Sequence, residues 1–213
     1  MFYKEFIPEA VLLAGGDYPT GNLALKLLES TEYVICCDGA ANGYIERGNT
    51  PNAIIGDGDS LTEINREKYS DILHIIEEQE SNDQTKAIYF LIAKGFKRIA
   101  ILGATGKRED HTIGNISLLL EYMKLGVEVR SITNYGVFIP VRDTQEFETT
   151  VGAQISIFNF NATSFNSIGL KYPIYDFTTW WQGTLNEAIS NKIIIEAKGE
   201  YIVYFLQHAT FRI

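Results

Sequence analysis

The segment YVICCDGAANGYIERGNTPNAIIGDGDS, residues 33–60, contains two apolar runs, YVICC at 33–37 and AIIG at 53–56, each ending on an acidic turn. A helix-length stretch, 40–47, lies between them. Short apolar runs bounded by Gly and Asp read as strands buried on both faces, and a helical crossover between two of them makes a parallel pair. The alternation continues outward, with AVLLA at 10–14 before this segment and ILHII at 72–76, RIAIL at 98–102 and VEVRSI at 127–132 after it. Helical patterns fill the gaps: GNLALKLLES at 21–30, one stretch from near Ser81 to Gly95, and one from about 110 to Gly126. The expectation is an α/β N-terminal domain with a mostly parallel, Rossmann-like sheet. Ser81 with Gln84 reads as an S-x-x-Q capping box, and Gly95 and Gly126 stand at helix stops. Cys36 and Cys37 are adjacent in a strand, where successive side chains point to opposite faces, so a disulfide framework is excluded.

Past Thr133 the pattern changes to β-rich runs without helical period: YGVFIP at 135–140, QISIFNF at 154–160, IGLKYPIY at 168–175, KIIIEA at 192–197 and YIVYFLQ at 201–207. An all-β sandwich domain is expected there, dividing the chain into residues 1–137 and 138–213. No repeat of about 20 to 50 residues and no low-complexity linker marks the junction.

The 213 residues are 46% hydrophobic and 21% charged, a globular composition. With 18 basic against 27 acidic residues the net charge is −9, which argues against nucleic acid as a partner. Nine acids between Asp57 and Asp83 face only Arg66 and Lys68, so this stretch supplies most of the excess. Such a run is either a solvated face or a seat for a divalent cation. There is no signal-peptide pattern and no apolar run of about 18 residues, so a cytoplasmic protein without a membrane partner is expected.

In IIGDGDS, residues 54–60, a buried-type strand runs into Asp57 and Asp59 on a Gly turn. Ligands of open α/β sheets bind beyond the carboxyl ends of strands. Two close carboxylates call for a cation, with Mg²⁺ the obvious one, although D-G-D is also an ordinary turn. Asp38 and Gly39 end the preceding run at a place suited to ribose or phosphate contacts. The plainer readings are a helix N-cap for Asp38 and a surface polar residue for Asn42. Asp83, Thr85 and Lys86 of QESNDQTKA fall in the first turn of a helix, where backbone N–H groups favour anions, though Asp83 also suits dipole stabilisation alone. The loop GATGKREDH, 103–111, brings glycines, Lys107, Arg108, Asp110 and His111 to another strand end and suits a polyphosphate. Asp110 as an N-cap and His111 as a surface residue are the alternatives. Walker A, G-x-G-x-x-G and G-x-S-x-G patterns are absent, as is zinc-ligand spacing.

Taken in order, CDGAAN, IGDGDS, NDQTKA and GATGKREDH, followed by GLKYPI and GTLNEA, resemble the thiamine pyrophosphokinase family from about residue 11 onward. The resemblance implies a homodimer whose α/β domain holds ATP and Mg²⁺ and whose β-sandwich completes a thiamine site at the subunit interface. The reaction it implies is transfer of pyrophosphate from ATP to the thiamine hydroxyl, with release of AMP. Carried onto this sequence, Asp57, Asp59 and Asp83 resemble the metal-binding acids, and Ser60, Thr85 and Lys86 the phosphate contacts. Asp38, Gly39 and Asn42 resemble the first nucleotide motif, and His111 joins that site. Arg108 matches a residue for phosphate charge, and Asp110 one for the thiamine pyrimidine or the attacking hydroxyl. Gln79 and Asn186 resemble thiamine contacts, and Trp180 or Trp181 is expected to stack on thiamine or, alternatively, to belong to the core or dimer interface. Departures from the family pattern are Leu185 for a usual Ser, Ala188 for an aromatic and Lys107 for a common Gly. A non-catalytic nucleotide or thiamine binder, and a different Mg²⁺-dependent nucleotide transferase using a D-x-D pair, are the competing readings.

Overall fold

The computed structural model describes residues 6–206; the outer ends of both expected domains, and Gln207 at the end of the last apolar run, lie outside the described residues. Two compact units form, one from residues 8–134 and the other from residues 6–7 with 135–206.

In the first unit the order is β1 (Ala10–Leu13), α1 (Asn22–Ser30), β2 (Val34–Cys37), α2 (Ala40–Glu46), β3 (Ala53–Gly56), α3 (Glu63–Lys68), β4 (Leu73–Ile75), α4 (Asp83–Ala93), β5 (Arg98–Leu102), α5 (Glu109–Lys124) and β6 (Glu128–Ile132). The strands pair in parallel in the order β6-β5-β1-β2-β3-β4. β1, β2 and β3 are buried at every position, which is why they read as unbroken apolar runs. Cys36 and Cys37 are free and buried, and burial pushes both thiols above their usual range.

Two local expectations need correction. The N-cap of α4 is Asn82, whose side chain accepts from the Thr85 N–H at 2.9 Å, and Ser81 instead donates its hydroxyl to Glu78 at 2.6 Å. Gln84 cannot close a capping box with Ser81, because it is turned inward and buried, donating to the Tyr122 hydroxyl at 3.3 Å. Asp38 does not cap α2; Gly39 holds that position without a side-chain bond. The glycine stops hold, with Gly95 at φ +92° and Gly126 at φ +85°.

The second unit carries β7 (Gly136–Arg142), β8 (Gln145–Glu148), β9 (Gln154–Asn159), β10 (Thr163–Ile168), β11 (Asn186–Glu187), β12 (Lys192–Lys198) and β13 (Glu200–Leu206). They form an antiparallel sheet β11-β9-β13-β7 and a second one, β10-β12-β8. The sheets meet through aromatic rings, Phe147 against Phe205 at 5.3 Å and Phe165 against Tyr201 at 5.4 Å, as a sandwich requires. The run IGLKYPIY is not a strand. Gly169 turns the chain at φ +86°, Leu170 makes only an isolated bridge with Ala188, and the segment past it, interrupted by Pro173, is irregular.

Candidate active site

Strands β2 and β3 lie side by side with Cys37 opposite Ile55, so the next residues out, Asp38 and Asp57, emerge together at the carboxyl edge. Gly56 permits this approach, because a Cβ there would fall 2.7 Å from the Asp38 Cβ. Gly58 turns at φ +79° and brings Asp59 back, and Asp38, Asp57 and Asp59 offer carboxylate oxygens within 4.8 Å of one another. Asp38 is 2% exposed; its Oδ2 accepts from the Ser60 N–H at 3.0 Å, while Oδ1 is buried without a partner. Burial, and then the neighbouring Asp57, raise the Asp38 carboxyl above its ordinary value, against the pull of the Ser60 bond. Asp57 moves the other way, chiefly because the Asp59 N–H donates to it at 3.2 Å. Three converging carboxylates, one with an orphaned buried oxygen, fit a hard divalent cation with oxygen ligands.

Asp83 starts α4 outside this tight group. Its carboxyl is raised by burial and, further, by Asp57 and Asp59, and lowered by Lys86, whose Nζ lies 3.6 Å away. Lys86 is buried and also donates to the Ile76 carbonyl at 3.2 Å. Asn42 fastens the acidic loop: its amide donates to the Ser60 carbonyl at 2.9 Å, and its oxygen accepts from the Thr62 N–H and from Asn65. Gly39 packs against Ser60, whose hydroxyl donates to Asp59 at 2.9 Å.

The loops after β1 and β5 are zipped together where the strand order reverses, the usual ligand crevice of such sheets. Gly16 N–H donates to the Gly103 carbonyl at 2.7 Å and Asp17 N–H to that of Thr105 at 2.9 Å. Gly106, at φ +86°, packs directly on Asp17. Lys107 follows at φ +59° and donates its Nζ to the Gly15 carbonyl at 2.8 Å. Arg108 grips Asp110 in a two-pronged bond, Nε to Oδ1 at 3.1 Å and a second nitrogen to Oδ2 at 2.5 Å, and this holds Asp110 down to about 2. His111 is exposed beside it and donates its backbone N–H to Asp110. Asn115 ties this loop to α4, donating to the Ala104 carbonyl at 2.9 Å and accepting from Asn82 at 2.9 Å.

Other expected residues have local partners. The Thr85 hydroxyl is buried at 2.8 Å from that of Tyr122, and exposed Gln79 donates only to the Glu77 carbonyl at 3.2 Å. In the sandwich unit Asn186 is buried, with its amide committed to both the N–H and the carbonyl of Tyr172. Trp180 donates its indole N–H to the Asn159 carbonyl at 3.0 Å and packs on Phe158 and Phe160, whereas Trp181 is 73% exposed. Asp38 as a member of the acid cluster, and Asn115 as the tie between loops, were not found by sequence reading. A D-G pair directly after a second parallel strand was the only available signal for the former.

Residues 24–130 match the thiamin pyrophosphokinase catalytic domain, and residues 136–204 match the thiamin pyrophosphokinase substrate-binding domain. The chain belongs to the thiamin pyrophosphokinase family. Thiamin pyrophosphokinase 1 of Caenorhabditis elegans is 25% identical over 211 residues, covering 90% of this chain and 86% of that protein. Thiamine pyrophosphokinase of Bacillus subtilis is 30% identical over 158 residues, covering 70% and 73% respectively. The fold is shared with the crystal structures of thiamine pyrophosphokinase from Bacillus subtilis (TM-score 0.76, 24% identity, 92% of this chain and 97% of that one) and of yeast thiamin pyrophosphokinase (0.78, 18%, 93% and 86%). As a thiamin pyrophosphokinase family member the chain is an enzyme, and enzymes of this family use ATP. Both departures noted at Lys107 and Leu185 sit at positive φ, +59° and +61°, a region where side chains of L-residues are strained. Among the described residues no helix is long and apolar enough to cross a membrane.

Proposed function

We propose that this enzyme binds Mg²⁺ at Asp38, Asp57 and Asp59 and uses that site to pass the pyrophosphate of ATP to the thiamine hydroxyl. The activity follows from the family; the observation that carries the metal reading is the three-carboxylate cluster with its orphaned Asp38 oxygen. Bound there, the cation neutralises phosphate oxygens and gathers the carboxylates that otherwise repel one another. Asp83 adds negative charge from the first turn of α4, with Lys86 as its counter-ion. Ser60 offers its hydroxyl, and the glycine-rich surface where the loops after β1 and β5 join takes the remaining phosphates.

Thiamine's hydroxyl oxygen attacks the β-phosphorus, the bond from that phosphorus to the α-phosphate oxygen breaks, AMP leaves with its phosphate, and the hydroxyl proton passes to solvent water. Positioning and charge neutralisation supply the rate enhancement, since no covalent enzyme intermediate is needed. Asp110, held ionised by Arg108 at a value of about 2, is too weak a base to take the hydroxyl proton efficiently and serves as an acceptor that orients thiamine. We assign ATP and Mg²⁺ to residues 1–137 and, apart from Asp110, thiamine to residues 138–213, with Trp181 the stacking ring because it is 73% exposed, against 42% for Trp180, whose indole N–H is already bonded. A homodimer sharing the thiamine site and a cytoplasmic setting, where the two free cysteines stay reduced, complete the proposal.

The test is incubation with ATP, Mg²⁺ and thiamine, following products by chromatography. AMP and thiamine diphosphate should form in equal amounts and only with Mg²⁺, and Asp57→Asn should lower kcat by about a hundredfold or more, as expected for loss of a preorganised charge contact. Release of UDP or GDP from other nucleotides in place of AMP would overturn the donor, and near-normal turnover of Asp57→Asn would overturn the metal site.

A further inference from the structure

We infer that Lys107 is the side chain that grips the polyphosphate of the nucleotide where the loops after β1 and β5 join, an inference that rests on the ATP-dependent reading above. The loop offers two cations, and their situations differ. Arg108 has its guanidinium engaged by both oxygens of Asp110, so most of its charge is answered within the chain. Lys107 has no carboxylate partner among the described residues; its Nζ donates to a neutral acceptor, the Gly15 carbonyl, at 2.8 Å. An ammonium carries three donors, so two remain for phosphate oxygens while the first keeps the loops joined.

The backbone supports the same assignment. Lys107 is held at φ +59°, next to Gly106 at φ +86°. A glycine would take that conformation without strain, and a strained residue at a ligand crevice is retained for what its side chain does. The Gly15 side of the joined loops is uncovered, since a Cβ placed on Gly15 would meet nothing within 4 Å, whereas Gly16 just beyond is closed by the Gly103 and Thr105 carbonyls. Lys107 is thereby held by its backbone and tethered at its head to the uncovered Gly15 carbonyl. With a net charge of −9 on the chain and a carboxylate cluster on the same sheet edge, an unneutralised cation is needed wherever a triphosphate is to settle.

The experiment compares wild type, Lys107→Gly and Lys107→Gln for Mg²⁺-ATP binding by calorimetry at two salt concentrations, together with thermal melts and steady-state kinetics. Lys107→Gly relieves the backbone, and Lys107→Gln keeps the strain but removes the charge and shortens the side chain by one atom. Both should raise the ATP dissociation constant and the KM for ATP about tenfold and flatten the salt dependence, with the thiamine KM unchanged and the Tm of Lys107→Gly no lower than wild type. ATP binding within about twofold of wild type in either variant overturns the inference, as does a wild type that binds no ATP. If the variants lose ATP affinity but wild type makes no thiamine diphosphate, the lysine stands and the reaction assignment falls. If thiamine diphosphate forms and both variants bind ATP normally, the reverse holds.

Discussion

Asp110 and Asp38 show how far one carboxyl can be driven from another within a single sheet edge. Asp110 is exposed, so a simple Coulomb attraction would be screened by water; its descent from an ordinary 3.8 to about 2 comes first from the hydrogen bonds of Arg108. Because the folded value is depressed, the stabilisation from this pair is present above the unfolded value and is lost as pH falls from about 4 toward 2. Titrating the Asp110 side-chain carbonyl by NMR should give a midpoint near 2, and Arg108→Gln should move it back up toward the ordinary value. An unmoved midpoint in that variant would show that the two-pronged bond does not form in solution. Asp38 is driven the opposite way by burial and by Asp57. The acids of GDGDS were legible because a Gly turn at a strand end is a local feature. Membership of Asp38 was not, because it depends on the pairing of Cys37 with Ile55 and on the bare Cα of Gly56, which no local pattern encodes.

Elements were legible where their apolar residues ran unbroken or in a helical period, even where little is buried, as in β4, whose Ile75 is exposed. All six strands and four of the five α-helices of the first unit stood out, whereas α3, EINREK, buries none of its side chains and gave no period to detect. The start of α4 slipped by one residue because Ser81 and Asn82 are equally good caps on paper, and the inward demand on Gln84 decided between them. That demand centres on Tyr122 of α5, which is 1% exposed and whose hydroxyl meets Thr85 at 2.8 Å and Gln84 at 3.3 Å. Tyr122→Phe leaves both of those buried groups short of a partner, and the cost expected for such a loss is about 1–3 kcal/mol. Urea unfolding followed by helical circular dichroism should show a lower midpoint at an unchanged slope. A midpoint equal to wild type would mean that water reaches the Thr85 hydroxyl and that α4 and α5 are not locked by this contact.

At the scale of the whole molecule, the sandwich unit bears apolar side chains that a lone soluble domain rarely displays together. Ile168 (55%), Ile189 (56%), Tyr172 (54%), Val151 (65%) and Leu185 (78%) are all exposed. Hydrogen bonds make their segments neighbours: Ile189 N–H donates to the Gly169 carbonyl, Gly152 N–H to that of Ala188, and Tyr172 N–H to the Asn186 side chain. Exposed apolar side chains grouped in this way suit an association face, and they are where the proposed homodimer would place its second copy. Light scattering should therefore return twice the 23.9 kDa chain mass, and specific activity should fall on dilution as dimers separate. The double variant Ile168→Glu with Ile189→Glu places like charges on this face, where each copy would face them across a two-fold axis, and should run as a monomer that keeps its circular dichroism but loses most of its turnover. A folded double variant that remains dimeric would move the interface elsewhere, and a fully active monomer would place the whole thiamine site within one chain.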